Sequence, residues 1–181
     1  MTSDMLRRAR EYEQTHIPAV KAKDLPCYHL TGIVGWINDP NGFSRYGEDY
    51  HLFFQYNPYA TVWDAMHWAH VKTRDFLHWE RLPAALAPDM PYDGKGCFSG
   101  SALELPDGRH MLMYTAVRLE QQPGGTEREF QTQCLALGDG IDYVKYPGNP
   151  VIDADLLPPP GAAPGISGIP KSSPGRAAMP P

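Results

Sequence analysis

A single carboxylate, Asp39, stands in the run Trp36-Ile37-Asn38-Asp39-Pro40-Asn41-Gly42, between two amides and behind a tryptophan. Pro40 fixes its own φ and pushes Asp39 toward an extended conformation, and Asn41-Gly42 supplies the turn expected after it. A carboxylate aimed by its backbone, with an aromatic wall and amide groups beside it, suits nucleophilic or acid–base work on a sugar. Asn-Asp-Pro-Asn-Gly is also good turn chemistry in its own right, so the run by itself leaves a plain β-turn open.

Three further blocks lie downstream: His51-Leu52-Phe53-Phe54-Gln55-Tyr56-Asn57-Pro58, then Trp63-Asp64-Ala65-Met66-His67-Trp68-Ala69-His70, then Cys97-Phe98-Ser99-Gly100-Ser101-Ala102. In this order and at these distances, the four blocks resemble the N-terminal half of the catalytic domain of glycoside hydrolase family 32. That family comprises invertases, sucrose-6-phosphate hydrolases and fructanases. The similarity runs from about Leu6 to Leu157. Arg8-Ala9-Arg10-Glu11 and the run from Asp24 to Leu30 also fit the bacterial sucrose-6-phosphate hydrolases.

The resemblance implies a retaining β-fructofuranosidase in which Asp39 is the nucleophile that forms a covalent fructosyl-enzyme. Trp36, Asn38 and Gln55 would contact the fructosyl unit, Trp63 would form an apolar platform, and Phe98 with Ser99 would line the opposite side. Core packing remains open for Trp63 and Phe98, and packing is the reading for Tyr56, Met66, Trp68 and Trp79. The implied partner is a small sugar, sucrose, sucrose 6-phosphate or a short fructan, and no cofactor is implied. Two departures stand out: Trp63-Asp64-Ala65 occupies the place of a common Trp-Gly-Pro, and Ala69 that of a common Gly. Asp64 adds a carboxylate beside the leaving-group platform.

The family's other two acids lie in an Arg-Asp-Pro block and a later Glu-Cys block, and neither motif is present. Arg74-Asp75-Phe76 lacks the proline and lies too early, so Arg74 and Asp75 read as solvated. Glu80, Glu104, Glu120, Glu127 and Glu129 have no cysteine neighbour and read as surface residues. Without a proton donor a sugar alkoxide leaves slowly, since general acid catalysis is worth about 10²–10⁴-fold. An inactive remnant or sugar-binding fragment is therefore the alternative reading. An arabinan-degrading propeller enzyme is a third, which Trp36 to Gly42 with Phe98 to Ser101 argue against.

The sequence changes character after Leu157: residues 158–181 hold 8 prolines and 4 glycines and no aromatic, the composition of a disordered tail. Taking the last base of each codon from Gly165 with the first two of the next permits Asp-Phe-Arg-Asp-Pro-Lys-Ile-Phe. That places an Arg-Asp-Pro block where the family carries one, so a lost reading frame is the expectation, with a native low-complexity linker as the alternative.

Around these blocks the elements read as mostly β. A charged, helix-like N-terminal segment (1–24) begins at Ser3 or Asp4. Short strands come next at Tyr50–Tyr56, Met66–Lys72, His78–Leu82, Gly100–Leu105, His110–Ala116 and Gln131–Leu137, with a hairpin turn at Pro106–Arg109. Strand spacing fits a sandwich, a barrel or a propeller. The resemblance implies a five-bladed β-propeller of which residues 25–157 form about two blades. A net charge of −5 without a basic stripe argues against nucleic acid. No stretch has the apolar length of a membrane span or a signal core. Three widely spaced cysteines (Cys27, Cys97, Cys134) fit cytoplasmic thiols, with Cys97 a buried packing residue. His67 and His70 form His-x-x-His, but in a strand this spacing points the rings to opposite faces, against a metal pair.

Overall fold

A computed structural model of the chain describes residues 2–153; the disordered tail expected at 158–181 lies outside the described residues. Helix α1 (Asp4–His16) starts where Ser3 Oγ accepts the Leu6 amide at 3.1 Å. Leu6 and Ala9, one turn apart, bury against Ala84 and Ala87, and Arg10 Nε donates to the Ala84 carbonyl at 2.9 Å. Two single 3₁₀ turns, Ile17–Ala19 and Ala22–Asp24, carry the chain on.

Eight strands make two antiparallel sheets in sequential order. The first contains β1 (Trp36–Tyr46), β2 (Asp49–Asn57), β3 (His67–Thr73) and β4 (Glu80–Leu86). The second contains β5 (Gly96–Glu104), β6 (His110–Gln121), β7 (Glu127–Gly138) and β8 (Tyr143–Lys145). The expected turn between β5 and β6 closes with Gly108 N donating to Leu105 O at 2.9 Å and Leu105 N to Arg109 O at 2.8 Å.

The Asn41-Gly42 turn does not form: the whole run lies inside β1. Its turn-forming residues are absorbed by two β-bulges, one between the Ile37–Tyr56 and Pro40–Phe54 pairs and one between Asn41–Phe53 and Ser44–His51. Pro40 is tolerated because β1 is the outer strand of its sheet, where a missing N–H breaks no ladder on the far side. Gly42 is required twice over. Its φ is +53°, and a Cβ there would stand 2.8 Å from the Phe53 ring.

The two sheets share one core. Phe53, Trp68, Ala85 and Leu86 of the first pack with Cys97, Leu112, Tyr114, Ala116, Cys134 and Ala136 of the second. Met66 and Gly96 join the sheets by a short parallel bridge, with Cys97 N donating to Met66 O at 2.8 Å. Two polar clusters are sealed near this junction. In one, His51 Nδ1 meets His70 Nε2 at 2.8 Å, and His110 bonds Ser44 Oγ at 3.0 Å and Tyr143 OH at 2.7 Å. In the other, Lys145 Nζ donates to Asp89 and Asp93 at 2.5 Å each and to Ala87 O at 2.6 Å, while Tyr114 OH donates to Asp93 at 2.8 Å.

Candidate active site

Asp39 and its expected neighbours meet at the seam where β1 lies beside β5. Between the Ile37–Tyr56 and Pro40–Phe54 pairs, two residues of β1, Asn38 and Asp39, oppose the single residue Gln55 of β2. In a regular strand these neighbours would point to opposite faces; the bulge lets both join one polar group. Ser99 is placed by the same device. It is the extra residue between the Phe98–Thr115 and Gly100–Tyr114 pairs of β5 and β6.

The result is a chain of hydrogen bonds through four residues. Asn38 Nδ2 donates to Gln55 Oε1 at 2.7 Å, Gln55 Nε2 donates to Ser99 Oγ at 2.9 Å, and Ser99 Oγ donates to Asp39 Oδ2 at 2.9 Å. Gln55 is buried, so its amide is locked by both neighbours and fixes the direction of the chain. Asp39 itself is exposed, with one carboxylate oxygen anchored and the other taking no hydrogen bond among the described residues. Asn38 Oδ1 and Asn41 Nδ2 are buried with no partner among the described residues. Asn41, legible in the sequence only as a turn residue, also ties the two sheets: its Oδ1 accepts Gly100 N at 3.4 Å.

The aromatic residues divide as their exposure shows. Trp68 and Met66 are fully buried, and Tyr56 is buried, as packing residues. Trp79 packs beside Phe54 and Val71. Trp63 is 41% exposed and meets Phe98 edge-on, ring centroids 5.9 Å apart, so the two form one wall rather than core, and Phe98 does not line the side opposite Trp63 as expected. Trp36 is also exposed, on β1 opposite Asn57, and stands outside the hydrogen-bonded group. The loop carrying Trp63 is pinned by Asn57, whose Nδ2 donates to Val62 O at 2.9 Å and whose Oδ1 accepts Tyr59 N at 3.1 Å. Asp64 turns its Oδ1 back onto Ala65 N at 2.8 Å.

The remaining candidates resolve by position. Arg74 and Asp75 are exposed, Asp75 capping the turn to His78. Of the five glutamates, four are exposed, whereas Glu120 is half-buried beside Arg118 at 2.8 Å. His67 and His70 face opposite ways, His67 Nδ1 donating to Ala65 O at 2.6 Å and His70 joining His51. Burial pushes His67 down to about 4 and holds His70 well below the usual imidazole range. The cysteines are free, Cys97 and Cys134 buried and Cys27 exposed, and burial pushes the Cys97 thiol up. No helix among the described residues is long and apolar enough to cross a membrane.

The seam thus sets a carboxylate at a bulge, held by a serine and an amide relay, beside an aromatic wall. The chain belongs to glycosyl hydrolases family 32, whose N-terminal domain matches residues 29–163. A sucrose-6-phosphate hydrolase of Zymomonas mobilis is 47% identical over 122 residues, 66% of this chain and 23% of that protein. A vacuolar acid β-fructofuranosidase of Arabidopsis thaliana is 41% identical over 144 residues, 76% of this chain and 20% of that protein. Among solved structures, a variant of a Bombyx mori β-fructofuranosidase in complex with sucrose superposes with a TM-score of 0.73 at 36% identity. The match covers 84% of this chain and 32% of that one. A fructan 1-exohydrolase of Cichorium intybus with bound 1-kestose gives 0.60 at 34% identity, over 71% of this chain and 24% of that one. The chain thus spans about a quarter or less of the curated relatives it matches.

Proposed function

We propose that this chain carries the nucleophile half of a retaining β-fructofuranosidase, acting in the intact protein on sucrose or sucrose 6-phosphate. The observation that supports it is the Asn38–Gln55–Ser99–Asp39 hydrogen-bond chain. Ser99 holds Oδ2 of Asp39, so Oδ1 is the oxygen that attacks the anomeric carbon, and the fructosyl–oxygen bond to the leaving sugar breaks as the ester forms. Asn38 Oδ1 is the acceptor for a fructose hydroxyl, Trp36 flanks the ring, and Trp63 with Phe98 and Ser99 frames the leaving-group side. The two sheets are the first two of five propeller blades, with residues 25–157 as that unit and 1–24 as its helical preface. Free thiols and the bacterial relative support a cytoplasmic setting.

Among the described residues no second carboxylate bonds into this group, so the chain supplies attack without leaving-group protonation. An activated donor removes that requirement. Incubated with β-D-fructofuranosyl fluoride, the chain is expected to release fluoride and gain one fructosyl unit on the peptide containing Asp39, and Asp39→Asn to do neither. A folded wild-type chain that forms no adduct and releases fluoride no faster than Asp39→Asn would refute the reading. Adduct formation without turnover of sucrose identifies the inactive-fragment alternative.

A further inference from the structure

Lys95 lies four residues before Ser99, on the segment that enters β5, and its ammonium sits 5.0 Å from the centre of the Trp63 ring. Its ion-pair partner is Asp64, at 4.0 Å, too long for a hydrogen bond, and Asp64 Oδ1 is already engaged by the Ala65 amide at 2.8 Å. The Lys95 stem is largely covered and its side chain is 28% exposed, so the aromatic wall fixes where the charge stands. The ammonium therefore arrives positioned, with its three N–H donors uncommitted to any short bond among the described residues.

Trp63 and Phe98 form the wall on the side where the leaving sugar would lie, and Lys95 crowns that wall. We infer that Lys95 is a specificity-determining residue for the leaving-group sugar, and that it selects a hexose bearing a phosphoryl group over an unsubstituted one. This inference rests on the fructoside reading of the site. Asp64 is the opposing element: it neutralises Lys95 when the leaving sugar is uncharged and repels a dianion that approaches from its own side. A phosphoryl oxygen would exchange the long Asp64 contact for a short charge-assisted hydrogen bond.

The test uses the full chain of 181 residues, titrated with sucrose, sucrose 6-phosphate and inorganic phosphate, binding being detected by ligand-observed NMR. One partly exposed charge-assisted bond predicts that sucrose 6-phosphate binds about tenfold more tightly than sucrose. Lys95→Met and Lys95→Gln should each weaken sucrose 6-phosphate by about that factor and erase the difference, and Asp64→Asn should widen it. Circular dichroism of each variant verifies that the fold is kept, and Lys95→Met preserves the apolar stem against Trp63. Equal affinities in the wild-type chain, or a preference that survives Lys95→Met, would overturn the inference while leaving the site reading intact. Inorganic phosphate should compete with sucrose 6-phosphate through Lys95, and competition that persists undiminished in Lys95→Met would also overturn the inference, showing an anion site elsewhere. A folded chain that binds neither sugar would remove the fructoside reading and this inference with it.

Discussion

Ser99 and Asp39, 60 residues apart in the chain, meet at 2.9 Å across the seam between two sheets, each standing in the bulge of its own strand. Neither strand alone would present its residue this way, because a bulge adds one residue and turns the strand beyond it. The geometry of the carboxylate is thus written twice, once in β1 and once in β5.

Ser99→Ala removes the hydroxyl that both accepts from Gln55 and donates to Asp39. Leaving a buried amide donor unpaired should lower unfolding free energy by about 1–2 kcal/mol. Urea denaturation should show a lower midpoint at an unchanged slope. An unchanged midpoint would mean that the hydroxyl bridges nothing.

Trp63 and Trp68 belong to one sequence block and should behave oppositely. Trp68 is fully buried in the shared core, so Trp68→Ala should cost about 3–5 kcal/mol. Trp63→Ala, at an exposed position, should stay within about 0.5 kcal/mol of wild type yet lose sugar binding. Comparable melting temperatures for the two variants would contradict the division between wall and core.

Acid should loosen the junction. Burial pushes His110 down to about 4 and lowers His51 and His70, so all three are neutral in the fold at pH 7. An unfolded chain takes up those protons near the ordinary value of about 6.5, and the folded one does not. Stability is therefore complete above that value and falls as the pH drops from there toward 4. Asp49, close enough to favour the charged form of His51, softens the effect, and Lys72 reinforces it. His110→Gln should flatten the profile of thermal midpoint against pH in that window. A profile equally steep in the variant would place the acid response elsewhere.

Lys145 balances two carboxylates in a buried setting. Burial works against its ammonium, but the carboxylates of Asp93 and Asp89 beside it outweigh that penalty and raise it above its usual range. Lys145→Met leaves Asp89 and Asp93 without their counter-charge and should destabilise by about 3–5 kcal/mol. Adding Asp93→Asn to that variant should recover part of the loss, measured in a double-mutant cycle. Additive losses would show that the two residues act independently.

The helix start, the packing role of Trp68 and the blocks that meet at the seam are legible in the sequence because each depends on local chemistry. Ser3 caps regardless of the fold, and Asp39, Gln55 and Ser99 sit in distinctive blocks. Asn41-Gly42 misleads, since residues that suggest a reversal of the chain serve bulges within a continuous strand. A turn and a bulge ask for the same left-handed glycine, and only the register of the neighbouring strand separates them. The histidine cluster is illegible for another reason. His51, His70 and His110 come from three strands in two sheets, and no spacing in the chain announces their meeting.

The seam between the sheets also sets an order of events during synthesis. Asp39 emerges from the ribosome early, but its anchor does not exist until β5 has been made and has settled beside β1. A nascent chain ending before Ser99 leaves the Asp39 carboxylate without that partner, whatever structure its first four strands have taken. Under the proposed nucleophilic role, reactivity at Asp39 would serve as a clock for the moment the two sheets dock.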